Sequence, residues 1–218
     1  MVVAIDRLQS PSTANTPDIA NQEVHQKKTF ITLDEYRKIS ETAEERLEYR
    51  NGEIFVMSGG SFAHSLIATN IVGFLIFNLR DTDFQVCSSD MRIWIPEFNC
   101  GTYADLLVIN GEPKFNATRT DEILNPILIV EVLSPSTQGY DRGEKFRKYR
   151  SVPSLAEYLL VSQAEPYIEH YSKSDSKSEN GDIWQLQICD RLDQKITLPN
   201  LNIEIPLAEI YRRVTGIE

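Results

Sequence analysis

Cysteine is scarce in this 218-residue chain, and the three present, Cys87, Cys100 and Cys189, are odd in number and far apart. That excludes a disulfide framework and a zinc knuckle, so free thiols are expected. Histidine is equally sparse. His25 lies in the N-terminal stretch, His64 in a helical pattern and His170 in a late strand pattern, which leaves no basis for a three-histidine metal cluster. Positive charge is in deficit, with 22 Lys and Arg against 32 Asp and Glu and a net charge of -10. A general nucleic-acid coat protein, which needs a basic face, is thereby excluded, and any polyanionic partner must be met locally. The same acidity is compatible with a carboxylate site for a divalent cation, because the cation supplies the missing charge. No apolar run approaches the ~18 residues of a membrane span, and the N-terminus lacks the basic-then-apolar order of a secretion signal. The expectation is a cytoplasmic protein without a membrane partner.

What is present is ordinary for a chain that folds in water: 41% hydrophobic and 25% charged residues. Residues 1–28, rich in Ser, Thr, Asn, Gln and Pro, show no sustained period and read as a flexible tail. Residues 29–218 then form one domain. Its first helix is announced by Thr32 and Glu35, a T-x-x-E capping box, with Ile31 and Tyr36 as a hydrophobic staple. Asn51-Gly52 between "RLEYR" and "EIFVM" marks a hairpin. After "SGGS", the residues Leu66, Ile67, Ile71, Phe74, Leu75 and Leu79 recur at helical spacing and predict a long amphipathic helix. From residue 84 the runs shorten to "FQVCS", "MRIWIP", "YADLLVI" and "ILIVEVL", which read as successive strands. "DRGEKFRKYRSV" reads as a helix with Asp141 as N-cap and Glu144 three residues on. Strands follow in "AEYLLVS", "PYIEHYS", "IWQLQI" and "KITLP", with "KSDSKSENGD" as an exposed loop and "PLAEIYRRV" as a closing helix. The predicted class is α/β in the α+β sense: a mixed β-sheet flanked by helices, preceded by a helix-hairpin-helix extension.

Chemistry concentrates at residues 127–137. In a strand, Ile127, Ile129, Glu131 and Leu133 share one face and Leu128, Val130 and Val132 the other, so both faces are apolar and covered. A carboxylate buried alone would take up a proton, so Glu131 needs a partner. That partner is either an Arg or Lys in an internal ion pair or a metal ion. Asp105 in the neighbouring "YADLLVI" puts a second acid beside the first, unless it merely starts a strand. Paired carboxylates with oxygen ligands suit magnesium or manganese. Lys145 lies in the first turn of the following helix and points back toward the acid pair, where it can position a water or stabilise phosphoryl charge. Arg147, Lys148 and Arg150 face elsewhere. His64 on its own reads as a structural hydrogen bonder or an exposed residue, Asp90 as a turn residue and Asp141 as a cap.

"YADLLVI", "ILIVEVLSPST", "DRGEKFRKY" with its D-x-x-x-K-x-x-x-Y spacing, "SLAEYLLV" and the upstream "LEYRNGEIFVMSGGSFAHSLI" together resemble the Uma-two family of restriction-endonuclease-like proteins. That family is a branch of the PD-(D/E)XK nuclease superfamily, and the resemblance spans about residues 29–210. It implies a metal-dependent nuclease core in which Asp105 and Glu131 bind magnesium, with manganese as a substitute. Glu48 matches the upstream glutamate that completes the metal site, and His64 the family histidine. The superfamily lysine sits two residues after the second acid, a position held here by Leu133, and Lys145 looks like its replacement. Ala104 stands where a proline usually precedes the aspartate.

The function these features imply is hydrolysis of DNA phosphodiesters, with Glu48, Asp105, Glu131 and the Val132 carbonyl holding one or two metal ions. DNA binding is expected to be weak and strongly salt-dependent, and a homodimer would double its contacts. The alternative is a non-catalytic module that binds nucleic acid or protein on a nuclease-like fold. Glycoside hydrolysis by paired acids fits poorly, because the flanks of Glu131 are apolar.

Overall fold

A computed structural model describes residues 30–57, 59–135, 137–179 and 181–217. The expected tail, residues 1–28, and His25 lie outside the described residues.

The chain begins with α1 (Leu33–Thr42), capped by the reciprocal Thr32 and Glu35 hydrogen bonds. The hairpin β1 (Leu47–Arg50) and β2 (Glu53–Val56) turns at Asn51 and Gly52, which adopt φ values of 45° and 97°. Both central residues at positive φ give the tight turn whose twist matches the strands. Gly52 is doubly required, since a Cβ there would stand 2.4 Å from the Phe30 ring. Then come α2 (Phe62–Leu79), β3 (Phe84–Ser88), β4 (Arg92–Ile95), β5 (Cys100–Tyr103), β6 (Leu106–Asn110), β7 (Glu122–Ile123) and β8 (Pro126–Leu133). A continuous helical segment follows, made of α3 (Gln138–Tyr140), a π-turn (Asp141–Lys145) and α4 (Phe146–Tyr149). The chain ends with β9 (Glu157–Ser162), β10 (Ile168–Ser178), β11 (Gly181–Cys189), β12 (Lys195–Leu198), β13 (Ile203–Pro206) and α5 (Leu207–Ile210).

Two sheets carry the fold. The larger has the order β11-β10-β9-β8-β6-β3, and the smaller β2-β1-β5-β4-β7, with β12 and β13 as a separate pair. The larger sheet is mixed: β8 and β9 run parallel, joined by the helical segment, and the remaining neighbours are antiparallel. Its strand β8 is buried on both faces, as its sequence requires. Leu128, Val130 and Val132 meet Ile67, Ile71 and Leu75 of α2, whereas Ile129 and Leu133 meet Phe146, Tyr149 and the smaller sheet's Ile93 and Ile95. The predicted mixed sheet with flanking helices is therefore what forms.

Several expectations are corrected. "YADLLVI" is not one strand: the chain leaves the smaller sheet at Tyr103 and enters the larger at Leu106, so Asp105 sits at the crossing between sheets. Asp141 is not a helix cap, because helix begins at Gln138 and Asp141 is buried inside it. The polar "KSDSKSENGD" is not a loop; β10 and β11 run through it to Ser178 and Gly181, held by their own ladder rather than by burial. The closing helix is only four residues long, and "IEIP" pairs as β13. Against the expectation from runs, α2 with 18 residues and a mean hydropathy of 1.6 is long and apolar enough to cross a membrane by length and composition alone. It is also less amphipathic than predicted: Ile67, Ile71, Leu75 and Leu79 are buried on the sheet, while Phe62, Ile76 and Phe77 are exposed.

Candidate active site at the end of the central strand

β8 carries Glu131 into the interior, where the residue is only 4% exposed. The chain then breaks at Ser134-Pro135 and returns as the helical segment, whose Asp141, Lys145 and Tyr149 recur at four-residue intervals. All three face Glu131. Lys145 Nζ lies 2.8 Å from Glu131 Oε1 and 3.6 Å from Asp141 Oδ1, and the Tyr149 hydroxyl donates to the same Glu131 Oε1 at 2.9 Å. The π-turn spans Asp141 to Lys145, and such one-turn insertions recur at functional sites because they re-aim side chains along a helix.

Electrostatics follow from burial and from the surplus of acids. Desolvation drives the Glu131 carboxyl well above its ordinary range; Lys145 opposes this, and Asp105 and Asp141 add to it. Asp141 is raised for the same leading reason, with Lys145 again opposing. Burial alone would strip the proton from Lys145, but Glu131, Glu48 and Asp141 outweigh it and hold the ammonium charged.

Asp105 enters from the crossing between β5 and β6. Its Oδ2 accepts from the Val132 N–H at 2.6 Å and lies 3.1 Å from His64 Nε2. His64 is in the first turn of α2, where Ser61 caps the helix by accepting from the His64 N–H. The Asp105 hydrogen bond raises the His64 pKa against partial burial, and a hydrogen bond to the Val132 backbone contributes in the same direction.

Glu48, on β1, is buried. Its Oε1 accepts from the Thr102 hydroxyl and, at 3.3 Å, from the Tyr103 N–H; its Oε2 accepts from Arg50 Nη2 at 2.5 Å and Nε at 3.1 Å. Burial would raise its pKa, but Lys145, Thr102 and Arg50 together bring it below the usual value. Arg50 in turn lies between the Phe55 and Tyr140 rings, 4.1 Å from each centroid.

Every residue singled out from the sequence, Glu48, His64, Asp105, Glu131, Val132 and Lys145, lines one cleft of about 450 Å³. The structure adds Asp141 and Tyr149. Their signal was the D-x-x-x-K-x-x-x-Y spacing itself, which places three functional side chains on one helical face once Asp141 is not spent as a cap.

A divalent metal is tested by the donors present. Among the described residues, no three His, Cys, Asp or Glu side chains converge as a ready cage. The two acids nevertheless share a pattern. Asp105 Oδ2 and Glu131 Oε1 each take two contacts from protein donors, while Asp105 Oδ1 and Glu131 Oε2 have no hydrogen-bond donor among the described residues. Oxygen donors with unmet negative charge suit magnesium or manganese, and magnesium binds through one or two carboxylates while keeping waters. The residues fit such an ion.

The chain was then compared with known proteins. The model of the Uma2 family, described as "Putative restriction endonuclease", matches residues 33–208. The protein sll1609 of Synechocystis sp. is 40% identical over 144 residues, 66% of this chain and 81% of its own length. A second Synechocystis protein, slr1290, is 37% identical over 184 residues, 84% of this chain and 92% of its own. Among solved structures, a chain from Anabaena variabilis described as "a putative nuclease belonging to DUF820" superposes with a TM-score of 0.65 at 17% identity. It covers 83% of this chain and 97% of that one. At that identity the likeness establishes a common, nuclease-like fold.

Proposed function

Since the chain belongs to the Uma2 family of restriction-endonuclease-like proteins, we propose that its cleft hydrolyses DNA phosphodiester bonds with the help of magnesium or manganese. The observation that carries this reading is the 2.8 Å contact between Lys145 Nζ and Glu131 near the end of β8, with Asp105, just before the adjacent β6, in the same cleft. It reproduces an acid, acid and lysine constellation with the lysine brought in from a helix.

Asp105 and Glu131 would hold the ion through the oxygens that have no donor among the described residues. When bound, it activates water and neutralises the scissile phosphate. His64 and the Val132 N–H fix Asp105, and Tyr149 fixes Glu131, so neither acid has to reorganise. The Lys145 ammonium donates to a non-bridging phosphoryl oxygen as charge develops there. Water adds to phosphorus and gives up one proton to solvent, the bond to the leaving oxygen breaks, and that oxygen takes a proton from solvent in return. Glu48, whose oxygens are engaged by Thr102, Tyr103 and Arg50, serves as the negative wall that keeps Lys145 charged rather than as a ligand. Val132 lines the same cleft, and its carbonyl would be available to the ion as a further oxygen donor.

A second reading is favoured by the lysine itself: with Lys145 and Tyr149 already on Glu131, the cluster is also a satisfied internal ion pair, suited to a non-catalytic binding module. The test is cleavage of supercoiled plasmid with magnesium, manganese or EDTA, together with metal titration by calorimetry. Metal-dependent nicking lost in Asp105→Asn, Glu131→Gln and Lys145→Gln supports the nuclease. Neither cleavage nor metal binding by the wild type leaves the module.

A further inference from the structure

Taking the cleft as a nuclease site, we propose that its substrate is an unpaired DNA strand rather than an intact duplex. Four observations converge on this.

The cleft is deep and its rims are tied. Glu131, Asp141 and Lys145 are 3–5% exposed, and the Ser61 hydroxyl at the start of α2 hydrogen-bonds Gln163 beyond β9, both residues lining the opening. A duplex holds its phosphates on the outside of a stiff cylinder, so it cannot lower one phosphodiester between joined rims without unpairing. Enzymes with recessed chemistry act on strands that are already single or that they extrude.

Two hollows border the cleft through shared residues. On one side a hollow of about 360 Å³ shares Arg46, His64 and Asp105 and adds the hydroxyls of Ser65 and Ser88. On the other side a hollow of about 420 Å³ shares Arg50 and adds Phe98, Arg147 and Lys148. Together they form a trough that leads a chain of phosphates past the acids.

Flat stacking groups stand along that trough. The Arg50 guanidinium is layered between Phe55 and Tyr140, and Arg147 lies 4.6 Å over Phe98. Exposed bases stack on such surfaces, whereas paired bases present only edges and backbone.

Charge supplies the fourth argument. A duplex carries one negative charge per ~1.7 Å of axis, twice the density of a single strand. A chain of net charge -10 with a few cations along one trough repels the duplex more.

The test is fluorescence anisotropy of a short labelled oligonucleotide, free and annealed to its complement, with calcium replacing magnesium to limit cutting. The single strand is expected to bind at least ~10-fold tighter, and Phe55→Ala to weaken it by about 5-fold or more. Arg147→Ala is expected to lower the salt dependence of binding as well as the affinity. Equal or tighter binding of the duplex, binding of neither form, or indifference to both variants overturns the proposal. Magnesium-dependent cutting of duplex by protein that ignores single strands also overturns it while leaving the nuclease reading intact. Single-strand binding without hydrolysis of either form does the reverse.

Discussion

Charge is buried in several places, and two of them are built on opposite rules. In the smaller sheet, Arg37, Arg92 and Arg119 meet Glu41, Asp121 and Glu122, with Arg37 2.8 Å from Glu122 and Arg119 2.6 Å from Asp121. Cations and acids balance there, and Asp121 is held below its ordinary pKa, chiefly by its hydrogen bond from Arg119. In the cleft, Glu48, Asp105, Glu131 and Asp141 face Lys145 and Arg50, with His64 beside Asp105. The acids are in surplus, and Glu131 and Asp141 are driven up. Similar side chains thus make a balanced brace in one region and a surplus of negative charge in the other. Charge balance separates the two, whereas burial does not.

The sharpest way to break the comparison is to remove one acid from each cluster. Glu122→Ala takes a carboxylate from three arginines, removing the Arg37 ion pair and leaving the buried Arg92 with Asp121, and is expected to cost ~3–5 kcal/mol in urea unfolding. The activity of the molecules that remain folded is expected to be unchanged. Glu131→Gln is expected to lower metal-dependent cleavage by about 10²–10³-fold, with stability moving by only about 1 kcal/mol, because it removes a charge the fold already disfavours. A large loss of stability in that variant would make the cleft a second brace.

Magnesium sharpens the contrast. At a concentration about a hundredfold above its Kd it is expected to stabilise the wild type and Glu122→Ala alike by ~2.7 kcal/mol, and to leave Glu131→Gln unmoved in thermal unfolding. Tyr149→Phe, which deletes one donor to Glu131, is expected to cost ~1–2 kcal/mol of metal binding by calorimetry.

The smallest effect lies in pH. Asp121 has a folded pKa below 3.8, so its stabilisation is complete above that value and is lost as pH falls through the folded pKa. Glu131 has a folded pKa above 4.5, so its contribution is complete below 4.5 and is lost as pH rises through the folded pKa. Urea midpoints against pH should therefore flatten on the acid side in Asp121→Asn and on the rising side in Glu131→Gln.

What could be read from the sequence was whatever is local. The Thr32 and Glu35 box, the Asn51-Gly52 turn and the alternation through Glu131 each lie within a few residues, and each formed. The reach of Lys145 to Glu131 followed from helix direction alone, even though the helix start was misplaced. Asp141 was missed because D-x-x-E is a legitimate capping pattern and a π-turn has no comparable signature. The crossing at Asp105 was hidden because apolar residues continue on both sides while the sheet changes. The Arg92 and Glu122 cluster left no trace in the sequence, since its members come from α1, β4 and the region of β7.

The crossing at Asp105 also fixes an order of events in folding. The Glu131 and Lys145 pair needs only one strand and the helical segment beside it. The bond from Val132 to Asp105 spans 27 residues, and that from Thr102 to Glu48 spans 54. Loop closure makes the wider contacts later. Asp105 reaches the Val132 N–H once β6 pairs with β8 in the larger sheet, whereas Glu48 reaches Thr102 only when β1 pairs with β5 in the smaller one. The cleft is therefore a product of both sheets, and a chain in which only one of them has formed holds only part of it.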